Sequence, residues 1–242
     1  MKAMIFCAGL GTRFKPWTDK HPKALALVNG KSLLQRNIEY LRQFGINDVI
    51  VNVHHFAEQI IDAVKKNDGW GTNIIISDET NEVLETGGGL LKAKDLFTPG
   101  EKFFTCNVDV LTDLDIGKLI SFHEKHKPLI SVTVTSRKTS RYLLIDAKDR
   151  LCGWTNTKTG EERIILKGKG ELLEKAYSCV VVFEYAIFDL MKQHGFSGKF
   201  SLIDVYLALS ADHLILGYDH SGDRFVDVGK PESVAIAESV FP

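Results

Sequence analysis

No Cys-x-x-Cys pair occurs among the four cysteines, Cys7, Cys106, Cys152 and Cys179. Their wide spacing argues against a disulfide framework or a structural zinc site. Cys7 and Cys106 end apolar runs, where cysteine serves as a small hydrophobe. No uncharged apolar run approaches the roughly 20 residues of a membrane span. The amino terminus enters an apolar strand pattern at once, which leaves no room for a signal peptide. These absences predict a cytoplasmic protein without a membrane partner. An excess of one charge sign is missing too: 30 Lys+Arg face 31 Asp+Glu, for a formal net charge of -1. No global field therefore draws the chain to nucleic acid or anionic lipid, and any basic site must be local. Linkers, internal repeats and low-complexity tracts are also lacking.

What remains is an ordinary globular composition, 44% hydrophobic and 25% charged over 242 residues, ample for a packed core. Through residue 135, short apolar runs alternate with amphipathic stretches. Strands are expected at Lys2–Cys7, Asp48–Val53, Asn73–Ser77, Phe103–Cys106 and Leu129–Thr135, with helices at Leu33–Phe44, Glu58–Lys65, Gly89–Leu96 and Ile116–His126. This alternation implies right-handed crossovers and a mainly parallel, doubly wound sheet. After Thr135 the rhythm changes to short strands at Tyr142–Asp146, Leu151–Trp154 and Arg163–Leu166. A strand at Tyr177–Phe183, helices near Tyr185–Gln193 and Leu202–Ser210, strands at His213–Tyr218 and Arg224–Val226, and a helix at Pro231–Val240 follow. The expected fold is α/β, a Rossmann-like doubly wound mixed sheet with a small antiparallel lobe, in one domain spanning 1–242.

In open α/β sheets ligands bind beyond the carboxyl ends of the strands. The first such end reads "FCAGLGTRFKPWTDKHPKAL". It lacks the last glycine of G-x-G-x-x-G, having Phe14 there, and the only Gly-Lys-Ser, Gly30–Ser32, has Leu25 where a P-loop needs its first glycine. Gly9 and Gly11 still allow backbone N–H groups to approach an anion closely. Thr12 adds a hydroxyl and Arg13 a planar fork for phosphate oxygens. Two prolines within Lys15–Pro22 suggest a long loop that brings Lys23 back to the same place. Two cations beside a glycine turn suit a triphosphate.

That stretch closely resembles the signature G-x-G-T-R-x(n)-P-K of the sugar-1-phosphate nucleotidyltransferases. "LETGGG", Leu84 to Gly89, resembles the family's second segment, and "FVDVGKPE", Phe225 to Glu232, its late Asp-x-Gly segment. The order is kept along nearly the whole chain. Among subgroups it is most similar to short bacterial enzymes without a carboxyl-terminal β-helix domain, such as those for N-acetylmuramate 1-phosphate or mannose 1-phosphate.

The resemblance implies the nucleotide-diphospho-sugar transferase fold, with nucleotide binding in about 1–135 and sugar-phosphate binding in about 136–242. It implies UTP or GTP and a sugar 1-phosphate as substrates, with Mg²⁺ as cofactor. Ala8, Gly9, Gly11, Thr12, Arg13, Lys23, Thr86, Gly87 and Asn107 would hold the nucleotide. Arg13, Lys23 and Asp109 would carry the chemistry, Asp109 and Asp227 the metal, and Asn156 and Ser178 the sugar. The chain departs from the family pattern at Val108 and at Cys179, both glycine in relatives.

A phosphate monoester is mostly dianionic at neutral pH, since its second pKa lies near ~6, and so needs no general base. This accords with the lack of a Ser-His-Asp or Cys-His signature. Charge neutralisation and in-line positioning are what such a reaction demands. Two other readings stay open. A glycosyltransferase could use Asn107-Val108-Asp109 as a variant D-x-D metal site, although it would leave the Arg13 and Lys23 pair without a triphosphate. A non-catalytic nucleotide-sugar-binding regulator would be expected to have lost these residues. Asp113 and Asp115 are expected to cap the helix at Ile116, and Ser201 with Asp204 to form a variant capping box. His54-His55 fits a turn as well as a base contact, and Trp154 and Glu161 fit lobe packing or exposure.

Overall fold

Alternate residues of the first strand, β1 (Ala3–Phe6), feed opposite faces of one sheet. Ala3 and Ile5 join one buried cluster, Met4 and Phe6 another. A computed structural model describes all 242 residues. After β1 come a ribbon of β2 (Leu27–Val28) and β3 (Lys31–Ser32), α1 (Leu33–Gln43), β4 (Asp48–Val53), α2 (Ala57–Lys66) and β5 (Asn73–Asp78). Next are α3 (Glu85–Lys92), β6 (Phe103–Asn107), β7 (Val110–Thr112), α4 (Ile116–His126) and β8 (Ile130–Thr135). The lobe strands are β9 (Arg141–Ile145), β10 (Leu151–Asn156) and β11 (Glu161–Ile164). The chain ends with β12 (Leu173–Phe183), α5 (Ile187–Gln193), α6 (Leu202–Ser210), β13 (Ile215–Asp219), β14 (Phe225–Asp227) and α7 (Glu232–Val240).

Four strands run parallel in the order β5, β4, β1, β6. The chain winds outward from β1 through β4 to β5, then returns to the other side of β1 at β6. The order reverses there, so a crevice opens beyond the carboxyl ends of β1 and β6. β12 lies antiparallel beside β6, β8 antiparallel beside β12, and β13 parallel beside β8. The amino-terminal part of β12 pairs instead with β9, which carries β10 and β11. The antiparallel lobe is thus a continuation of the main sheet, joined through one long strand.

Two features of the backbone differ from the sequence expectation. Helix α3 begins at Glu85, four residues earlier than glycine's poor helix propensity suggests. Packing overrides propensity there: a methyl group on Gly87 would strike the Phe200 ring, and one on Gly88 the Gly198 carbonyl oxygen. In β12, the pairing with β8 jumps from Tyr177↔Val134 to Val181↔Val132, so Ser178, Cys179 and Val180 face the single residue Thr133. This bulge puts Cys179 at φ 58.

Asp115 caps α4 as expected, accepting from Lys118 N at 3.1 Å. Asp113 does not cap. It accepts from Arg224 N at 2.7 Å and Nε at 2.6 Å, tying β14 to the segment after β7. Ser201 caps α6 through Ile203 N, but the Asp204 carboxylate leaves the box to take the Arg163 guanidinium. Val108 is 3% exposed and belongs to the core cluster beneath α1, where its carbonyl accepts from Asn37 Nδ2 at 3.0 Å.

Candidate active site

Two cavities meet at the crevice. One of about 360 Å³ lies between the opening loop, the ends of β4 and β6, and α3; one of about 800 Å³ lies between β6, α6 and the lobe. Thr86 and Asn107 form walls of both. Ala8, Gly9, Gly11, Thr12, Lys23 and Asp109 line the smaller cavity, whereas Arg13, Asn156 and Asp227 line the larger. Gly87 lines neither; it is buried and its N–H donates to Phe200 O at 2.9 Å.

The opening loop is pinned at Gly11. Its φ of 60 lies in the left-handed region, and its carbonyl accepts from Thr18 Oγ1 at 2.9 Å. An added Cβ would stand 2.8 Å from Thr18 Cγ2, so glycine is needed for both conformation and space. Gly9, by contrast, has nothing within 4 Å of a would-be Cβ and leaves open backbone facing the cavity. The two prolines do delay the return of the chain. Lys23 then begins a single turn, Lys23–Leu25, and its ammonium reaches Asp109 Oδ2.

The carboxylates are placed by a two-stranded ribbon. β14 pairs antiparallel with β7, Asp227 opposite Val110, and Val228 N donates to Asp109 O at 2.7 Å. Gly229 leaves the space into which Arg13 leans: a Cβ there would stand 3.0 Å from Arg13 Nη2 and 2.7 Å from Asp227 Oδ1. The Asp227 carboxyl is open to solvent along the cleft, yet the walls around it push its pKa up. The negative charge of Asp109 adds to that rise, while Arg13, Lys23 and Arg137 offset part of it. Two oxygen ligands with mutually unfavourable charge are a donor set for a hard cation such as Mg²⁺, which takes one or two carboxylates and fills the rest with phosphate and water. No group of three or more His, Cys, Asp or Glu gathers into a cage for a softer metal.

At the far end of the smaller cavity lies a pair the sequence reading missed in part. Asn52, at the end of β4, accepts from Cys7 N at 2.6 Å and donates through Nδ2 to Glu79 Oε1 at 2.7 Å. Glu79 is fully buried, and its second oxygen, Oε2, has no partner. Burial raises its pKa, and the Asn52 bond offsets part of that rise. The sequence signal was available: Glu79 follows the apolar run of β5, at a strand end of the kind that marks ligands in this architecture. His54 and His55 turn away to carbonyls, Nδ1 of His54 lying 2.6 Å from Glu79 O and Nε2 of His55 3.3 Å from Thr18 O.

On the lobe side, Asn156 lines the larger cavity and Ser178 does not. Ser178 is fully buried with Oγ 2.8 Å from His220 Nε2, because the β12 bulge turns its neighbour Cys179 to the cavity instead. Ser178, the expected sugar contact, thus does not face the cavity, and Cys179 and Tyr177 line it there instead. Burial raises the pKa of every cysteine, Cys106 to about 12, so these thiols are structural. No helix is long and apolar enough to cross a membrane.

A sheet with its switch point between β1 and β6, a glycine loop bearing Arg13 and Lys23, and two strand-end carboxylates together define a phosphoryl-handling transferase. The nucleotidyl transferase family matches residues 2–238, and the chain belongs to it. It is 28% identical over 243 residues to an N-acetylmuramate alpha-1-phosphate uridylyltransferase of Caulobacter vibrioides, covering 98% of this chain and 95% of that protein. Similarity to a mannose-1-phosphate guanyltransferase of Schizosaccharomyces pombe is 27% identity over 235 residues, covering 96% of this chain but 62% of that protein. Among solved structures, HddC from Yersinia pseudotuberculosis complexed with GMP-PN matches with a TM-score of 0.79, 23% identity, and coverage of 100% and 99%. An apo UDP-glucose pyrophosphorylase matches with a TM-score of 0.79 at 17% identity, covering 100% of this chain and 98% of that one. These two likenesses carry the fold.

Proposed function

We propose that this nucleotidyltransferase joins a nucleoside triphosphate to a sugar 1-phosphate, releasing pyrophosphate. The observation that carries the reading is the meeting of Lys23, Asp109, Arg13 and Asp227 where the two cavities join. The nearly full-length likeness to a sugar-1-phosphate uridylyltransferase supports the choice of acceptor. Residues of about 1–135 form most of the nucleotide side, and those of about 136–242 most of the acceptor side.

In this reading the base enters the smaller cavity. Asn52 and Glu79 close the far end of that cavity, with the Glu79 carboxyl buried behind the Asn52 amide. The likenesses to a uridylyltransferase and to a guanyltransferase support UTP or GTP as the donor. The backbone at Ala8, Gly9 and Gly11 and the Thr12 hydroxyl cradle the phosphates. The acceptor phosphate enters from the larger cavity, and one of its oxygens forms the new bond to the α-phosphorus. The bond from the α-phosphorus to the oxygen bridging to the β-phosphate breaks, and pyrophosphate leaves with that electron pair. No proton need move. Lys23 and Arg13 stabilise charge at the α-phosphoryl group and on the leaving pyrophosphate. Asp109 and Asp227 would hold Mg²⁺, which when bound neutralises phosphate charge.

The deciding assay follows pyrophosphate release from each of the four common triphosphates against a panel of sugar 1-phosphates, with and without chelator. Release with UTP or GTP that stops with excess chelator and falls in Asp109→Asn by more than about 100-fold is expected, since even outer residues of metal sites often carry ~10–100-fold. Release of a nucleoside diphosphate from a nucleotide sugar, or full turnover in chelator, would overturn the reading.

A further inference from the structure

Five cationic side chains line the larger cavity, Arg13, Arg137, Arg141, Lys158 and Lys230, against the single carboxylate of Asp227. None of the five belongs to an ion pair of the protein. On a chain of net charge -1 this is a local surplus with no partner in the fold.

The five fall into two groups. Arg13 leans beside Asp227, and Lys230 follows Gly229 at that same end. Arg137 is fixed nearby, donating from Nη2 to Tyr177 O at 2.9 Å with its guanidinium 4.8 Å from the centre of the Phe225 ring. These three suit the reacting phosphates. Arg141 and Lys158 lie elsewhere. Arg141 opens β9 directly opposite Asn156 of β10, and Lys158 sits in the turn that follows, its N–H bonded to Asn156 Oδ1 at 3.1 Å.

Residues opposite one another on antiparallel strands share a face. Arg141 and Asn156 therefore look the same way, as do Leu143 and Trp154 one pair further along, and all four line the cavity. The wall is also braced from the side, since Arg163 of β11 lies directly opposite Trp154. The Arg163 guanidinium sits 5.4 Å from the centre of the Trp154 ring and is held by Asp204 at 2.9 and 3.0 Å. Room is not short: about 800 Å³ is more than twice the 360 Å³ of the cavity on the nucleotide side.

We propose that the acceptor is a sugar 1-phosphate carrying a second anionic group on a carbon remote from C1, held by Arg141 and Lys158 beside the Asn156 amide. The inference rests on the sugar-1-phosphate reading above and narrows it. A carboxylate and a phosphate share the needed chemistry, two or more oxygens that fit an arginine fork.

The test compares three acceptors with the preferred triphosphate, reading pyrophosphate release. N-acetylmuramate 1-phosphate carries a carboxylate, N-acetylglucosamine 1-phosphate is the same sugar without it, and a hexose 1,6-bisphosphate carries a second phosphate. At least one charged acceptor is expected to exceed the neutral one in kcat/KM by about tenfold or more, the worth of a charge-assisted hydrogen bond. Arg141→Gln and Lys158→Gln should shrink that preference, mainly through the KM of the charged acceptor, and Arg141→Lys should keep part of it. Equal or better use of the neutral acceptor overturns the inference. So does an Arg141→Gln variant that lowers all three acceptors by the same factor, or one that raises only the KM for the triphosphate. If no sugar 1-phosphate yields pyrophosphate with any triphosphate, the parent reading falls and this one with it.

Discussion

Lys23 and Asp109 form an ion pair across 86 positions of sequence, their side chains only 14% and 13% exposed. The contact brings the far end of the opening loop to the end of β6, so the loop's closure and the carboxylate's charge are set together. It also gives the pair a shared electrostatic balance: any cation that joins Asp109 competes with the ammonium, and any phosphate that draws Lys23 releases the carboxylate.

This arrangement separates the roles of the two cations in the loop. Lys23→Ala is expected to lower kcat by about 10²–10³, the usual effect of removing one preorganised charge at a reacting group. Arg13→Ala, at the junction of the cavities, should chiefly raise the KM for the triphosphate, by about tenfold or more. Steady-state kinetics in both substrates reads the difference. Unaltered kinetics with a lowered melting temperature in both variants would make the loop a structural element.

Glu79 gives a pH-dependent prediction. Burial raises its carboxyl above the ordinary value of 4.5, so the folded protein keeps that proton to higher pH than the unfolded chain does. Its contribution to stability is complete below the unfolded pKa and is lost as pH rises through the folded one. Ionising this buried carboxyl, one oxygen of which is unpartnered, thus weighs on the fold as pH rises. Glu79→Gln should melt higher than the parent at pH 7, with the gain shrinking towards pH 4. A melting temperature lowered equally at both pH values would show that the carboxylate has a stabilising partner.

Val108 occupies the position where the family pattern has glycine, and its side chain is in the core. Val108→Gly should cost roughly 1.5–3 kcal/mol for the lost burial, before any cost of glycine's backbone freedom. Urea denaturation measures it, and turnover should change little. A variant as stable as the parent but distinctly faster would mean that the side chain narrows the site.

Much of this architecture was written plainly in the sequence. Asp48–Val53, Ile116–His126 and Leu202–Ser210 begin and end where hydrophobic spacing and capping residues put them. Gly9, Asp109 and Asp227 follow strand ends and open on the two adjoining cavities, and Lys23 reaches Asp109 from the returning loop. The failures share one cause, contact with a distant segment. The start of α3 depends on Gly198 and Phe200, more than a hundred residues away, and local propensity contains no trace of them. Ser178 is turned away from the cavity by a bulge whose signal is spread over β8 and β12. Glu79 went unnoticed because a lone carboxylate after a strand looks like any surface turn until its burial is known.

The glycine-packed junction of α3 with the chain before α6 has a mechanical consequence. Gly87 N bonds Phe200 O at 2.9 Å, Phe200 N bonds Leu84 O at 3.3 Å, and Leu202 N bonds Thr86 Oγ1 at 3.1 Å. Thr86 is a wall of both cavities, so this seam lies between the two substrates. A clamshell motion about it would break all three bonds and part surfaces that fit only because no side chain intervenes. The two cavities are therefore held at a set spacing, like the jaws of a gauge, and the opening loop and the lobe rim lie outside that seam.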